Sequence, residues 1–142
     1  MPKIIITAIT LSIPFSILNF SAYMKGIAPD FTQVLSSSLF VFLWFISSLF
    51  SGYLGKFVYL KAATSYWVVG MLVVALGYFA HIGVVFVPSV LIFAGPLYGL
   101  KHYLGTPPGI LLVSYTILIN YTLIIVGYLA GKHLKKIWLH LR

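Results

Sequence analysis

Apolar residues in this chain come in long unbroken blocks, without the alternation of half-buried strands. Four blocks reach the ~20 residues needed to cross the hydrocarbon of a bilayer: Ile4 to Tyr23, Val34 to Gly55, Thr64 to Phe86 and Gly109 to Gly131. None of them contains Lys, Arg, Asp or Glu. Each is bounded by a charge or a breaker: Lys3, Lys25-Gly26, Pro29-Asp30, Lys56, Lys61, Pro107-Pro108 or Lys132. Backbone that lies in hydrocarbon must satisfy its own hydrogen bonds, so blocks of this length predict helices. The expected architecture is all-α, a polytopic bundle of four transmembrane helices in one domain covering 1–142.

Two stretches fall outside the four blocks. Pro88 to Leu100, PSVLIFAGPLYGL, is apolar but has only 13 residues and is interrupted by Gly95-Pro96. It is expected to be part of an apolar broken loop over about 88–108, re-entrant or interfacial. A fifth span could be drawn through His81 to Leu100, but it would put the two termini on opposite sides. The tail, 132–142, places Leu134, Ile137, Trp138 and Leu141 at i, i+3, i+4, i+7 with basic residues opposite. This predicts a basic amphipathic helix at the membrane surface, with Lys132, Lys135, Lys136, Trp138 and Arg142 facing anionic headgroups.

Composition removes the alternatives. With 61% apolar and 7% charged residues, and a mean hydropathy of +1.09, the chain cannot cover a water-facing surface. The net charge of +8 has no basic soluble face to sit on, which excludes a nucleic-acid partner. Its distribution is topogenic. Lys3, Lys56, Lys61, Lys132, Lys135, Lys136 and Arg142 fall on one side of a four-span bundle, and only Lys25 and Lys101 on the other. By the positive-inside rule both termini are expected in the cytoplasm, with the first segment an uncleaved anchor.

The polar residues inside the blocks are the candidate chemistry. Asp30, the single acidic side chain, precedes Gln33 by three residues, the spacing of a capping box. Ser47, Ser51 and Gly55 form a small-xxx-small series on the second helix. Gly70, Gly77 and His81 share a face of the third helix, and Thr116, Asn120, Gly127 and Gly131 share one on the last. Small residues let helices approach closely, and an amide in hydrocarbon needs a partner, so these positions are packing or pathway candidates. Pro14 is expected to bend the first helix.

No block holds a carboxylate, and the chain has no cysteine. Carboxylate-coupled transport, aspartyl hydrolysis, Mg²⁺-dependent lipid phosphotransfer and thiol redox chemistry are therefore disfavoured, and neither an enzyme nor a cofactor is expected. Three readings follow. The first is an accessory or scaffold subunit packed on a larger membrane partner. The second is a homo-oligomeric pore or uncoupled small-solute carrier. The third is a haem- or quinone-binding anchor using His81, with His102 nearby. Phe86-Val87-Pro88 and Gly127-Tyr128-Leu129-Ala130 faintly resemble the holin-like family of small bacterial membrane proteins, which would imply a pore. That family's Pro-Gly-Ser turn before the second helix is replaced here by Pro29-Asp30-Phe31.

Overall fold

A computed structural model describes residues 2–105 and 109–140, and no strand occurs among them. Five helical segments are long and apolar enough to cross a membrane: α1, Pro2–Lys25; α2, Phe31–Tyr53; α3, Phe57–Phe79; α4, Gly83–Leu104; and α5, Ile110–His140. The expected count of four is not confirmed, because a fifth segment, Gly83–Leu104, also has the length and hydropathy of a crossing. The stretch read as a broken loop is helical through Leu104, although irregular. It changes from α (Gly83–Ser89) to π (Val90–Ala94) to 3₁₀ (Gly95–Leu100), with one final α turn. Residues 106–108, with Pro107 and Pro108, lie outside the described residues.

The third block also divides differently. Its helix starts at Phe57, because Lys61 is tolerated in the second turn with its ammonium 5.3 Å from the Phe57 ring centroid. It ends at Phe79, and His81 takes the left-handed conformation (φ 55°) that closes the turn into α4. His81 is thus exposed in a turn and does not share a helical face with Gly70 and Gly77. At the other end of the chain α5 runs without a break from Ile110 to His140. The basic tail continues the last helix in place of forming a separate one; Arg142 lies outside the described residues.

Helix ends follow local chemistry where it is strong. Asp30 caps α2, its Oδ1 accepting from the Gln33 N–H (2.8 Å) while Gln33 Oε1 accepts from the Asp30 N–H (3.0 Å). The capping box is complete.

Contacts between helices give their directions. Ser12 of α1 meets Tyr66 of α3, and Ile4 lies beside Phe57 and Lys61, so α1 and α3 run parallel. The α2 helix is antiparallel to them, with Asn19 on Ser37 and Phe15 on Phe40. It is parallel to α5: Ser48 meets Ile124, Gly52 meets Tyr128, and Leu49 meets Gly131. Both described termini therefore lie at one end of the bundle, with the α2–α3 turn.

The α4 segment leaves and returns to the opposite end. It descends along α3, Phe86 against Gly77 and then Phe93 against Gly70. Near Leu91 it reaches Ser16, halfway along α1. It then turns outward between α1 and α2, with Gly99 on Gln33 and Ser37, and ends with Tyr98 and Lys101 on the α1–α2 turn. Ala94 to Gly99 is buried throughout. This segment packs against both α1 and α2, which also meet each other at Asn19–Ser37 and Phe15–Phe40.

Close approach needs glycine at the seams. A Cβ on Gly52 would collide with the Tyr128 carbonyl, and one on Gly131 with the Leu49 carbonyl. Neither backbone atom can move aside cheaply. Gly52→Val or Gly131→Val is expected to lower stability by about 1–3 kcal/mol, read as a drop in melting temperature in detergent. Gly83→Ala, where a Cβ meets open space, should leave it near the parent value.

Candidate functional site

The irregular middle of α4 is the place where backbone is out of register with itself. Pro96 has no N–H to give to the carbonyl one turn back, and the π turn pairs the Gly95 N–H with the Val90 carbonyl. The carbonyls of Leu91 and Ile92 are then served from neighbouring helices. The Ser16 hydroxyl donates to Leu91, and the Tyr66 hydroxyl donates to Ile92 at 3.1 Å. Ser12 stands 2.8 Å from the same Tyr66 oxygen.

Farther out, the Ser37 hydroxyl accepts from the Gly99 N–H (2.9 Å) and from Asn19 Nδ2 (3.2 Å). At the outer rim the Lys101 ammonium donates to the Gly26 carbonyl (2.9 Å) and to the Tyr98 hydroxyl (3.1 Å), while Tyr98 donates to Ile27 at 2.6 Å. These groups form an uncharged polar shell clasping α4, closed at its mouth by one lysine.

Sequence reasoning missed most of this shell. Ser12 and Ser16 carried no expectation, Tyr66 was expected with Tyr53, Phe57, Tyr59 and Trp67 in an interfacial belt and is instead buried, and Lys101 was read only as a loop charge. The available signal was the series Ala8, Ser12, Ser16, Asn19 and Ala22, all buried on one face of α1 at helical spacing. It is the same small-residue rule that drew attention to α2 and α5.

The expected candidates separate. Gly127 and Gly131 form the seam with α2, but their partners there are Phe45, Ser48, Leu49 and Tyr53, not the Ser47, Ser51, Gly55 series. Ser47 is exposed, Ser51 is buried near the end of α2, and Gly55 lies in the α2–α3 turn with φ +71°. Gly70 and Gly77 face α4. Thr116 is buried and donates to the Val113 carbonyl at 3.0 Å. Asn120 is fully buried, yet its amide N and O both lack a hydrogen-bond partner. His81 and His102 are both exposed, and no group of three metal-binding side chains occurs among the described residues.

At the end carrying the termini, α1 and α2 part around a cavity of about 260 Å³. Ala8, Leu11, Leu43 and Trp44 line it, with Lys3 at the rim. A second cleft of about 670 Å³ shares Ile4 and Tyr59 with it and carries Lys56 and Lys61. Trp44 joins a cluster of rings, 5.6 Å from Tyr66 and 5.5 Å from Trp67 between centroids, and its buried indole N–H has no partner. The Tyr59 hydroxyl is turned toward Ser47 but meets no partner in hydrogen-bond geometry. A third cleft, of about 450 Å³, lies between Gly55 and the lysines 132, 135 and 136. No family model matches the chain, and neither a curated protein nor a solved structure does.

Two substitutions measure the buried polar groups. Tyr66→Phe leaves the Ile92 carbonyl without its donor and is expected to cost about 1–2 kcal/mol in a detergent unfolding titration. On α5, outside the shell, Asn120→Leu replaces two unpartnered buried polar atoms with methyl groups on the same branched skeleton and is expected to hold or raise stability in the same titration.

Proposed function

We propose that the chain is a non-enzymatic multi-pass membrane protein serving as an accessory or scaffold subunit beside a larger membrane partner. In this reading α1, α2, α3 and α5 cross the bilayer. The α4 segment enters from the outer face, turns at mid-depth and returns, and both termini are cytoplasmic. The course of α4 supports the topology: its start beside Gly77 and its end on the α1–α2 turn lie at one end of the bundle. The charges agree, with Lys3, Lys56, Lys61, Lys132, Lys135 and Lys136 together at the other.

The observation that carries the functional reading is how the interior polar groups are used. Ser12, Ser16, Ser37, Ser48 and Tyr66 are engaged in holding one helix to the next. Ser48, Thr116 and Asn120 are buried inside a single copy, which gives a homo-oligomeric pore no hydroxyl-lined wall from those positions. His81, in an exposed turn, likewise offers little to a haem. What faces outward is a jacket of large apolar side chains such as Leu72, Phe79 and Val84. The small-residue seams expected to receive a partner are filled from within. The partner is therefore met through that jacket and the basic end.

The absence of native cysteine makes the test direct. Val84→Cys and Tyr103→Cys, both at exposed positions, should react with a membrane-impermeant maleimide from the same outer face. Lys56→Cys and Lys132→Cys should react only from the cytoplasmic side. Labelling of 84 and 103 from opposite faces would make α4 a fifth crossing. Crosslinking in native membranes should recover a larger, non-identical membrane protein; recovery of self-adducts alone would refute the subunit role.

A further inference from the structure

We propose that the paired clefts between α1, α2 and the start of α3 form a binding site for one anionic glycerophospholipid. The phosphate sits at Lys56 and Lys61, the ester region lies beside Tyr59, and an acyl chain runs along Leu11, Leu43 and Trp44. The inference rests on the topology above, which puts this end of the bundle at the cytoplasmic surface.

Three independent features converge on that ligand. The first is shape. The wide cleft at the end of the bundle and the narrower cavity between the helices meet at Ile4 and Tyr59, giving a head compartment and a tail compartment. The tail compartment lies between α1 and α2 on the terminal side of the level where Asn19 meets Ser37 and Phe15 meets Phe40. From Lys3 to the level of Leu11 is about 12 Å at 1.5 Å per residue, the depth of the upper acyl chain.

The second feature is charge. Lys3, Lys56 and Lys61 surround the mouth, and the only acidic side chain, Asp30, is at the other end of the bundle capping α2. Among the described residues no acidic side chain stands near these ammonium groups, so the head compartment favours an occupant that carries negative charge. The third is hydrogen bonding. The Trp44 indole is a donor only, and it is buried with no acceptor; the Tyr59 hydroxyl beside it is also unmatched. The Tyr59 hydroxyl, near the start of α3, calls for an acceptor just below the headgroup, where a glycerolipid holds its ester carbonyls, while Trp44, at the depth of Leu11, lines the acyl compartment. A neutral lipid would leave the lysines unanswered. Free phosphate would leave the apolar walls and Trp44 unanswered.

The test uses the full chain reconstituted with Trp138→Phe, leaving Trp44 and the deeply buried Trp67 as reporters. Vesicles of phosphatidylcholine are doped with phosphatidylglycerol or with extra phosphatidylcholine, each carrying bromine on the upper acyl chain. Brominated phosphatidylglycerol should quench the fluorescence at several-fold lower mole fraction than brominated phosphatidylcholine, and the quenched component should vanish in Trp44→Phe. Lys56→Gln and Lys61→Gln should each reduce the preference about fivefold. Equal quenching by the two lipids in the parent protein would overturn the proposal, as would complete reversal by millimolar inorganic phosphate, which would make it a simple anion site. Lys3→Cys and Lys56→Cys labelling separates the two ideas. Reaction from one face with no lipid preference defeats the lipid site alone, whereas reaction from opposite faces defeats the topology beneath it.

Discussion

Two backbone carbonyls at mid-bundle, those of Leu91 and Ile92, set the terms for the rest of this molecule. In hydrocarbon an unpaired carbonyl costs several kcal/mol, and Pro96 together with the π turn withdraws the usual intrahelical donors. A helix broken in this way is tolerable only where other helices bring hydroxyls to it. Ser16 from α1 and Tyr66 from α3 do so, and Ser12 joins the Tyr66 oxygen from α1. The irregular segment and its polar shell are therefore one structure: neither has a reason to exist without the other.

The position of that segment shapes everything around it. Lipid tails are as apolar as leucine, so helices in a bilayer associate through close packing and interhelical bonds. Here glycine and serine supply both. Along the α2–α5 seam Gly52, Gly127 and Gly131 let backbones meet, and Ser48 donates to the Ile124 carbonyl at 2.5 Å. Against α4, Gly70 and Gly77 admit the Phe93 and Phe86 positions. On the side of α4 the helices α1 and α2 meet at Asn19–Ser37 and Phe15–Phe40, and toward the termini they part around the lysine-rimmed cavity.

How much of this was legible depended on whether the determinant was local. The Asp30–Gln33 capping box could be read because both partners lie within one turn and need nothing else. Helical spacing places the two glycines of α5 on one face regardless of fold, and the structure sets α2 against that face. Within the small-residue stripe of α2 it is Ser48, together with Gly52, that meets α5, while Ser47 is exposed and Gly55 lies in the turn. Spacing defines a face, but only a neighbour decides which of its edges is buried. His81 was placed on a helix because hydropathy runs smoothly across it, and no sequence signal marks a left-handed residue that is neither Gly nor Asn. Lys101 was counted as a solvated loop charge, although its ammonium closes the shell by binding carbonyls of the α1–α2 turn some 75 residues away.

By itself the sequence determined the all-helical class and the presence of several segments long and apolar enough to cross a bilayer. Both follow from quantities summed over a segment: apolar length and the absence of charge. Only the tertiary structure decided that α4 is helical yet turns back at Ser16. It alone showed which hydroxyls serve the freed carbonyls and where α1 and α2 part to leave a cavity. Those outcomes depend on pairs of residues far apart in the chain meeting at contact distance, and a segment read alone carries no record of what will stand opposite it.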